Sequence, residues 1–208
     1  MNIETLTVGA FETNCYIVGG AAPAALVLDP GDDADRILSL LKQRQWTVAA
    51  YLLTHGHVDH VSAVADMCQA MPAPVCIHPD DLDWAFSPRN QMPPFFPAPA
   101  LPNGPLHRLQ DGHEYSAAGL TYRVVSTPGH TPGSVCFLFP DAHALLSGAT
   151  LFAGSVGRTD LPGGDSRTLT ASLARLATLD GKTRVYPGHG PASDMAREKA
   201  HNVFLRGM

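Results

Sequence analysis

Apolar and polar residues alternate along the first thirty residues in three short runs. Ile3–Val8, Thr13–Val18 and Ala24–Leu28 each predict a strand, because a period of two places alternate side chains on one face of a sheet. The third run ends at the turn signal Asp29-Pro30-Gly31. Aspartates then precede apolar residues at helical spacing over residues 37–41, which predicts a capped helix. The chain therefore begins as a strand meander followed by a helix.

The rest of the chain repeats this alternation of strand and helix signals. The strands predicted after the meander are Val48–Leu53, Val75–His78, Leu106–Leu109, Leu120–Ser126, Ser134–Phe139, Ala144–Ser147 and Arg184–Tyr186. Helices are predicted over Ser62–Met71 and Ser166–Leu179, with a last helix beginning near Asp194. Two successive halves, each of strands followed by helix, suit a layered α/β protein with functional residues at strand ends.

Regular patterning fails between residues 79 and 105, a segment with eight prolines and four large aromatic residues. It is too apolar for an ordinary linker and too rich in proline for regular structure. We interpret residues 79–105 as an ordered loop packed over the body of the protein. Such a loop either lies near the active site or only covers the core.

Length and composition narrow the class of protein. With 208 residues, the chain is long enough for one substantial core, so we expect a single domain over residues 1–208. The net charge of −5 and the lack of a basic stretch argue against nucleic-acid binding. No apolar run has the length of a membrane span, and the N-terminus is a strand pattern instead of a signal peptide. Four scattered cysteines predict reduced, buried thiols in a cytoplasmic protein.

Three histidines and an aspartate fall within six residues directly after an apolar strand, in the run His55-Gly56-His57-Val58-Asp59-His60. In a loop that leaves a strand, the i, i+2 spacing lets His55 and His57 point to the same side. Asp59 and His60 can then turn towards a neighbouring ion. Imidazole nitrogen suits zinc, iron and manganese, and a carboxylate adds a hard, negative oxygen. This run therefore predicts a metal site.

Two more histidines occupy similar settings. His130 lies between two Pro-Gly turns after a strand, and His189 follows a third Pro-Gly turn near the end of the chain. Either could be ordinary turn sequence on its own. Together with the first cluster, both are predicted to be metal ligands. The other histidines match no ligand position, although His78 ends a strand and could lie near the site.

The combined pattern HxHxDH, then PGHTPGS, then GHG, resembles the metallo-β-lactamase superfamily over nearly the whole chain. The resemblance implies an α/β fold of four layers, an αββα sandwich, with the site at one edge between two sheets. By motif, His55, His57 and His130 would hold one divalent metal ion, and Asp59, His60 and His189 a second. Zinc is the first expectation, with iron and manganese as alternatives.

Two further stretches indicate the branch. Residues 154–160, Gly-Ser-Val-Gly-Arg-Thr-Asp, are similar to a stretch of small glyoxalase II-like hydrolases, and residues 190–204 resemble their C-terminal motif. The implied reaction is hydrolysis of S-lactoylglutathione or a related acyl-glutathione by metal-activated water. Asp59 would orient the nucleophile as well as bind metal. Arg158 would bind an anionic group of this small-molecule substrate, or it forms an ordinary structural ion pair.

One position departs from the family pattern. The stretch Leu145–Phe152 aligns with a motif whose aspartate bridges both metals, and this chain has Ala149 at that place. Either the natural sequence lacks the carboxylate, or an aspartate has been replaced. Six ligands remain, a set that one subclass of true β-lactamases uses without a bridging aspartate. We expect weaker metal retention than with aspartate.

Three other functions compete with thioester hydrolysis. An iron-dependent glutathione persulfide dioxygenase would need a carboxylate at position 149, which Ala149 does not supply. A β-lactamase is compatible with the remaining ligands, but residues 154–160 and the lack of a signal-peptide pattern count against it. A catalytically weakened metal-binding protein is favoured by Ala149 alone.

Overall fold

The computed structural model describes residues 1–208. The strands are β1 (Asn2–Val8), β2 (Thr13–Gly19), β3 (Ala24–Leu28), β4 (Thr47–Leu52), β5 (Val75–Ile77), β6 (Leu106–Arg108), β7 (Glu114–Ala117), β8 (Leu120–Ser126), β9 (Val135–Phe139), β10 (Ala144–Gly148), β11 (Leu151–Phe152), β12 (Ser155–Val156), β13 (Arg184–Pro187) and β14 (Ser193–Asp194). The helices are α1 (Ala34–Gln43), α2 (Val58–Val61), α3 (Val64–Ala70), α4 (Pro79–Ala85), α5 (Ser166–Ala177) and α6 (Met195–His201).

The longer strands form two six-stranded mixed sheets. The first has the order β1-β2-β3-β4-β5-β6, antiparallel from β1 to β3 and parallel from β3 to β6. The second has the order β14-β13-β10-β9-β8-β7, in which only β10 and β13 pair in parallel. β11 and β12 form a separate hairpin between β10 and α5.

Alternate side chains along each strand point to opposite faces of its sheet and so pack into different layers. In β3, Leu26 and Leu28 belong to a core shared with Phe137 and Leu146 of the second sheet, so the two sheets face each other. Val27, between those two leucines, points to the other side and packs with α1 and α3. On the outer face of the second sheet, side chains of α5 and α6 cover residues of β8, β9, β10 and β13. The fold is thus the expected four-layer αββα sandwich.

The predicted meander at residues 1–28 is confirmed, and all four cysteines are free and buried. None of the helices is both long and apolar enough to cross a bilayer.

The interpretation of residues 79–105 as loop throughout is wrong at its start. Pro79–Ala85 is the helix α4, and Pro88–Asn90 forms a 3₁₀ turn. The helix begins here because Pro79 suits the first helical position and His78 Nδ1 accepts from the amide of Asp80 at 3.3 Å. His78 therefore caps this helix and does not line the cavity at the candidate metal site.

The helix predicted over Ser62–Met71 is also corrected. It begins four residues earlier, at Val58, and is divided into α2 and α3. Asp59 and His60 accordingly lie on a helical turn, where the prediction had placed them in a loop. The sequence did not indicate this start because histidine and aspartate interrupt the apolar spacing that marks a helix.

Candidate metal centre

The six predicted ligands come from segments that follow three strand ends. His55 and His57 lie in the turn after β4, and Asp59 and His60 on α2 directly behind it. His130 lies in the turn between β8 and β9, and His189 follows β13. The edge where these strands end therefore collects side chains from both sheets, as the resemblance implied.

These side chains form two groups of three that could each hold a metal ion. His55, His57 and His130 make up the first group, and Asp59, His60 and His189 the second. Within each group the potential ligand atoms all lie within 4.8 Å of one another. The rings of His55 and His60 are 4.2 Å apart between centroids, so the two groups are adjacent.

Hydrogen bonds to backbone carbonyls fix the tautomers of two of these histidines. His130 Nδ1 lies 2.7 Å from the carbonyl oxygen of Arg158, and His189 Nδ1 lies 3.1 Å from that of Phe11. A carbonyl only accepts, so each Nδ1 must donate its hydrogen. The Nε2 atoms of neutral His130 and His189 consequently keep a free lone pair, as a metal ligand requires.

Asp29 fixes the tautomers of the two histidines that are buried most deeply. Its Oδ2 atom accepts from His60 Nδ1 at 3.0 Å and from the hydroxyl of Thr54 at 2.7 Å. Thr54 Oγ1 in turn lies 3.0 Å from His55 Nδ1, which must donate because the hydroxyl hydrogen is already used. Asp29 thus directs the Nε2 lone pairs of His55 and His60 away from itself.

The buried Nε2 atom of His55 has no hydrogen-bond partner, which is costly for a polar atom without a ligand. His60 Nε2 and His189 Nε2 lie 3.2 Å apart, so a cation is also needed to bind their two lone pairs. His57 Nδ1 similarly faces His130 Nε2 at 2.9 Å. Several imidazole lone pairs converging at such distances fit a pair of metal ions.

The electrostatics of the first group favour neutral rings. Burial, together with neighbouring imidazoles, lowers the pKa of His57 to about 3. Burial also lowers the pKa of His55 and that of His130. These three rings therefore offer lone pairs to a cation at neutral pH without first losing a proton.

The second group contains the negative charge. Burial opposes ionisation of Asp59, but the imidazoles of His60 and His189 outweigh this effect and lower the pKa of the carboxyl. Burial likewise opposes the charged form of His60, yet the carboxylates of Asp59 and Asp29 raise the pKa of its ring overall. An ionised carboxylate beside two imidazoles is an attractive site for a divalent cation.

Sequence reasoning missed Asp29 and Asp81 as supports of this site. Asp81 is fully buried and accepts from the amides of Gly56 and Gly133, both at 2.8 Å, and from the hydroxyl of Thr131 at 2.7 Å. It therefore ties the turn of His57 to the turn of His130. Asp29 had a signal, an acid directly after a buried strand, whereas Asp81 lay in the segment interpreted as loop.

Ala149 is buried at 6% exposure and lines the same cavity as the ligands. Its methyl group supplies no donor atom, so it adds no ligand to the two groups of three. The position follows β10 directly.

A cavity of about 910 Å³ opens onto both groups. Its walls include apolar side chains, among them Phe11, Trp84, Met92 and Phe152, and its charged residues include Arg89 and Arg158. The size lies in the upper part of the range usual for small-molecule sites. Trp84, Arg89 and Met92 place part of the segment 79–105 at the cavity wall.

Arg158 lines this cavity and also forms an ion pair. Its Nε and Nη2 atoms lie 2.6 and 2.7 Å from the two carboxylate oxygens of Asp160. Both groups are largely exposed, so the pair adds little stability. The backbone carbonyl of Arg158, which accepts from His130 Nδ1, is the firmer structural contact.

A four-layer sandwich with two adjacent His/Asp groups at the edge between its sheets defines a class of metal-dependent hydrolases. The family described as the metallo-beta-lactamase superfamily matches residues 8–189 of the chain. The chain belongs to this superfamily, and the expectation drawn from its motifs is confirmed.

Similar proteins span the whole chain. Hydroxyacylglutathione hydrolase GloC of Haemophilus influenzae is 31% identical over 208 residues, covering 99% of this chain and 98% of that protein. The crystal structure of the BLEG-1 B3 metallo-beta-lactamase is 35% identical with a TM-score of 0.92, covering 99% and 100% of the two chains. A crystal structure of TTHA1623 in a di-iron-bound form is 39% identical with a TM-score of 0.86, covering 97% and 100%.

Proposed function

We propose that this protein hydrolyses a glutathione thioester, S-lactoylglutathione or a related acyl-glutathione. The observation that carries the proposal is that both ligand groups open into one cavity whose wall includes part of the loop at residues 154–160, from Ser155 to Arg158. That loop is joined to the centre because the carbonyl of Arg158 orients His130. The likeness to a hydroxyacylglutathione hydrolase over nearly the full length of both chains supports the same reaction.

In this proposal His55, His57 and His130 hold one divalent ion, and Asp59, His60 and His189 hold the other. Zinc is the preferred metal, because it combines readily with imidazole and carboxylate ligands. When bound, such ions activate water and polarise the carbonyl of the substrate. The substrate is a small molecule, and we place the reaction in the cytoplasm.

Asp59 has the second task of orienting the attacking water. Its Oδ2 atom is the one turned towards His189 Nε2, at 3.3 Å, and it accepts from the hydroxyl of Thr13 at 3.0 Å. Its Oδ1 atom makes no hydrogen bond within the protein and remains able to accept from water. Hydrolysis forms a bond between the water oxygen and the acyl carbon, breaks the carbon–sulfur bond, and yields a carboxylic acid and a thiol.

The direct test combines elemental analysis of the purified protein with an assay of S-lactoylglutathione hydrolysis. We expect bound divalent metal, turnover of the thioester, loss of turnover with a chelator and its recovery when zinc is returned. A fully metal-loaded protein that does not cleave this or other acyl-glutathiones would contradict the proposal.

Hydrolysis of a β-lactam is a second candidate, favoured by Ala149. A site without a carboxylate at that position retains the six ligands of the subclass noted above, and a B3 metallo-beta-lactamase shares the fold at a TM-score of 0.92. A nitrocefin assay on the metal-loaded protein separates the two reactions. Ala149 counts against the dioxygenase alternative, since no carboxylate at that position completes its iron site.

A further inference from the structure

Two arginines line the cavity, and their surroundings differ. The guanidinium of Arg158 is already engaged by both carboxylate oxygens of Asp160. The guanidinium of Arg89 has no carboxylate oxygen within 4.0 Å and makes no hydrogen bond within the protein. Asp80 also lines the cavity, but its carboxylate lies beside His78 at 3.7 Å. Arg89 is therefore a cavity cation whose donors are all available.

Arg89 is exposed, yet its backbone is held firmly against the metal centre. The next residue, Asn90, is buried, and its side-chain Nδ2 atom donates to the carbonyls of Gly56 and Ala85, both at 2.7 Å. Gly56 lies between His55 and His57, so this bond fixes the 3₁₀ turn to the ligand turn. The hydroxyl of Ser87 also accepts from the amide of Arg89 at 3.3 Å.

Apolar surface lies beside this cation. Trp84, on α4, packs its ring 5.5 Å from that of His57, and Met92 lines the cavity on the other side of Arg89 in the chain. Trp84 and Arg89 line the same cavity as the two ligand groups, so a ligand bound at the metal centre shares that cavity with an unpaired guanidinium. Such a group recognises a carboxylate through two parallel hydrogen bonds.

We propose that Arg89 binds a carboxylate on the thiol side of the substrate, and so selects glutathione conjugates over neutral thioesters. The inference rests on the proposed thioester hydrolysis and names the part of the substrate that Arg89 recognises. Arg89 touches the substrate far from the reacting bond, so it contributes binding that is equal before and during the reaction. Its removal should raise KM and leave kcat nearly unchanged.

The test compares Arg89→Gln with the unaltered protein on two substrates, S-lactoylglutathione and the lactoyl thioester of N-acetylcysteamine, which has no carboxylate. We expect the variant to raise KM for the glutathione thioester about two- to fivefold, the range of one exposed charged pair. KM for the neutral thioester should not change. Arg108→Gln removes an exposed arginine outside the cavity and should alter neither value.

Binding of S-hexylglutathione, a thioether that is not hydrolysed, gives a readout independent of turnover. Trp84 lines the cavity whereas Trp46 packs against the core, so quenching of Trp84 fluorescence reports occupancy. Trp84→Phe identifies that signal. We expect the Kd to rise about two- to fivefold in Arg89→Gln.

The outcomes separate the two proposals. Equal effects of Arg89→Gln on both thioesters, or no effect on either, would overturn the role of Arg89 and leave thioester hydrolysis standing. Absence of turnover of any thioester by the metal-loaded protein overturns the proposed function. Failure of the unaltered protein to bind S-hexylglutathione overturns the assignment of Arg89.

Discussion

Replacing Asp29 with asparagine changes one functional atom at the carboxylate that supports His60. Oδ1 of Asp29 accepts from the amide of Thr54 at 2.8 Å, and the amide oxygen of asparagine can keep that bond. The new amide group would then replace Oδ2, which accepts from His60 Nδ1 at 3.0 Å. Two donors would face each other unless His60 moves its hydrogen from Nδ1 to Nε2.

Either result weakens the second ligand group. A hydrogen on Nε2 removes the lone pair that points towards His189, and a retained hydrogen on Nδ1 loses its charged acceptor. The loss of one hydrogen bond to a charged group is about 1.5–3 kcal/mol. Loss of an outer partner of a ligating histidine usually lowers metal affinity about 10- to 100-fold, or about 1.4–2.8 kcal/mol, which agrees.

The assay is a zinc titration of the metal-free protein in competition with a chromophoric chelator. We expect Asp29→Asn to lower the affinity for the zinc ion of the second ligand group about 10- to 100-fold. The affinity for the zinc ion of the first group should change less. The hydroxyl of Thr54 also loses Oδ2 as its acceptor, but its oxygen can still accept from His55 Nδ1, so the first ligand group should be affected less.

Asp81→Asn is the matched control, since Asp81 is also buried and accepts from a threonine hydroxyl and from backbone amides. It bonds to no imidazole, and it joins the turns of His57 and His130. Its effect on metal binding should therefore fall on the first ion. Equal weakening of both ions in the two variants, or unchanged binding in Asp29→Asn, would refute the reasoning.

Three further substitutions test other parts of the structure. Ala149→Asp should raise retention of two metals and the hydrolysis rate, by about tenfold or more if the carboxylate becomes a ligand, and equal metal content and rates in both proteins would contradict this. His55→Ala should abolish hydrolysis while circular dichroism shows the fold retained, because the unpartnered Nε2 of His55 serves the metal and not the core; retained activity would show that the centre is assigned wrongly. Asp81→Ala leaves the buried amides of Gly56 and Gly133 without an acceptor, each worth about 1–3 kcal/mol, and leaves the Thr131 hydroxyl with only Ser134, so urea unfolding should show a loss of about 2 kcal/mol or more. The exposed neighbour variant Asp80→Ala should stay within about 0.5 kcal/mol, and an equal loss in the two would disprove the role of Asp81.

The order of strands and helices was readable where periodicity was strong. Ala24–Leu28 and Leu120–Ser126 were predicted with the bounds that the structure has, because buried strands carry a clear apolar pattern. The polar edge strand Glu114–Ala117 and the helix Pro79–Ala85 were missed. An edge strand has less need of apolar residues, and the prolines around α4 hid a helix whose start depends on the side chain of His78.

The superfamily and the six candidate ligands could be identified from local sequence, because the ligand spacing at strand ends is local and the Pro-Gly-His turns repeat it. Only the tertiary structure showed that Asp29 orients His60, that Asp81 joins two ligand turns, and that Arg89 stands unpaired beside the centre. Those roles depend on contacts between residues as far apart as Asp81 and Thr131, or Asp29 and His60. No local pattern encodes such distances, since the folded sheets alone bring these segments together.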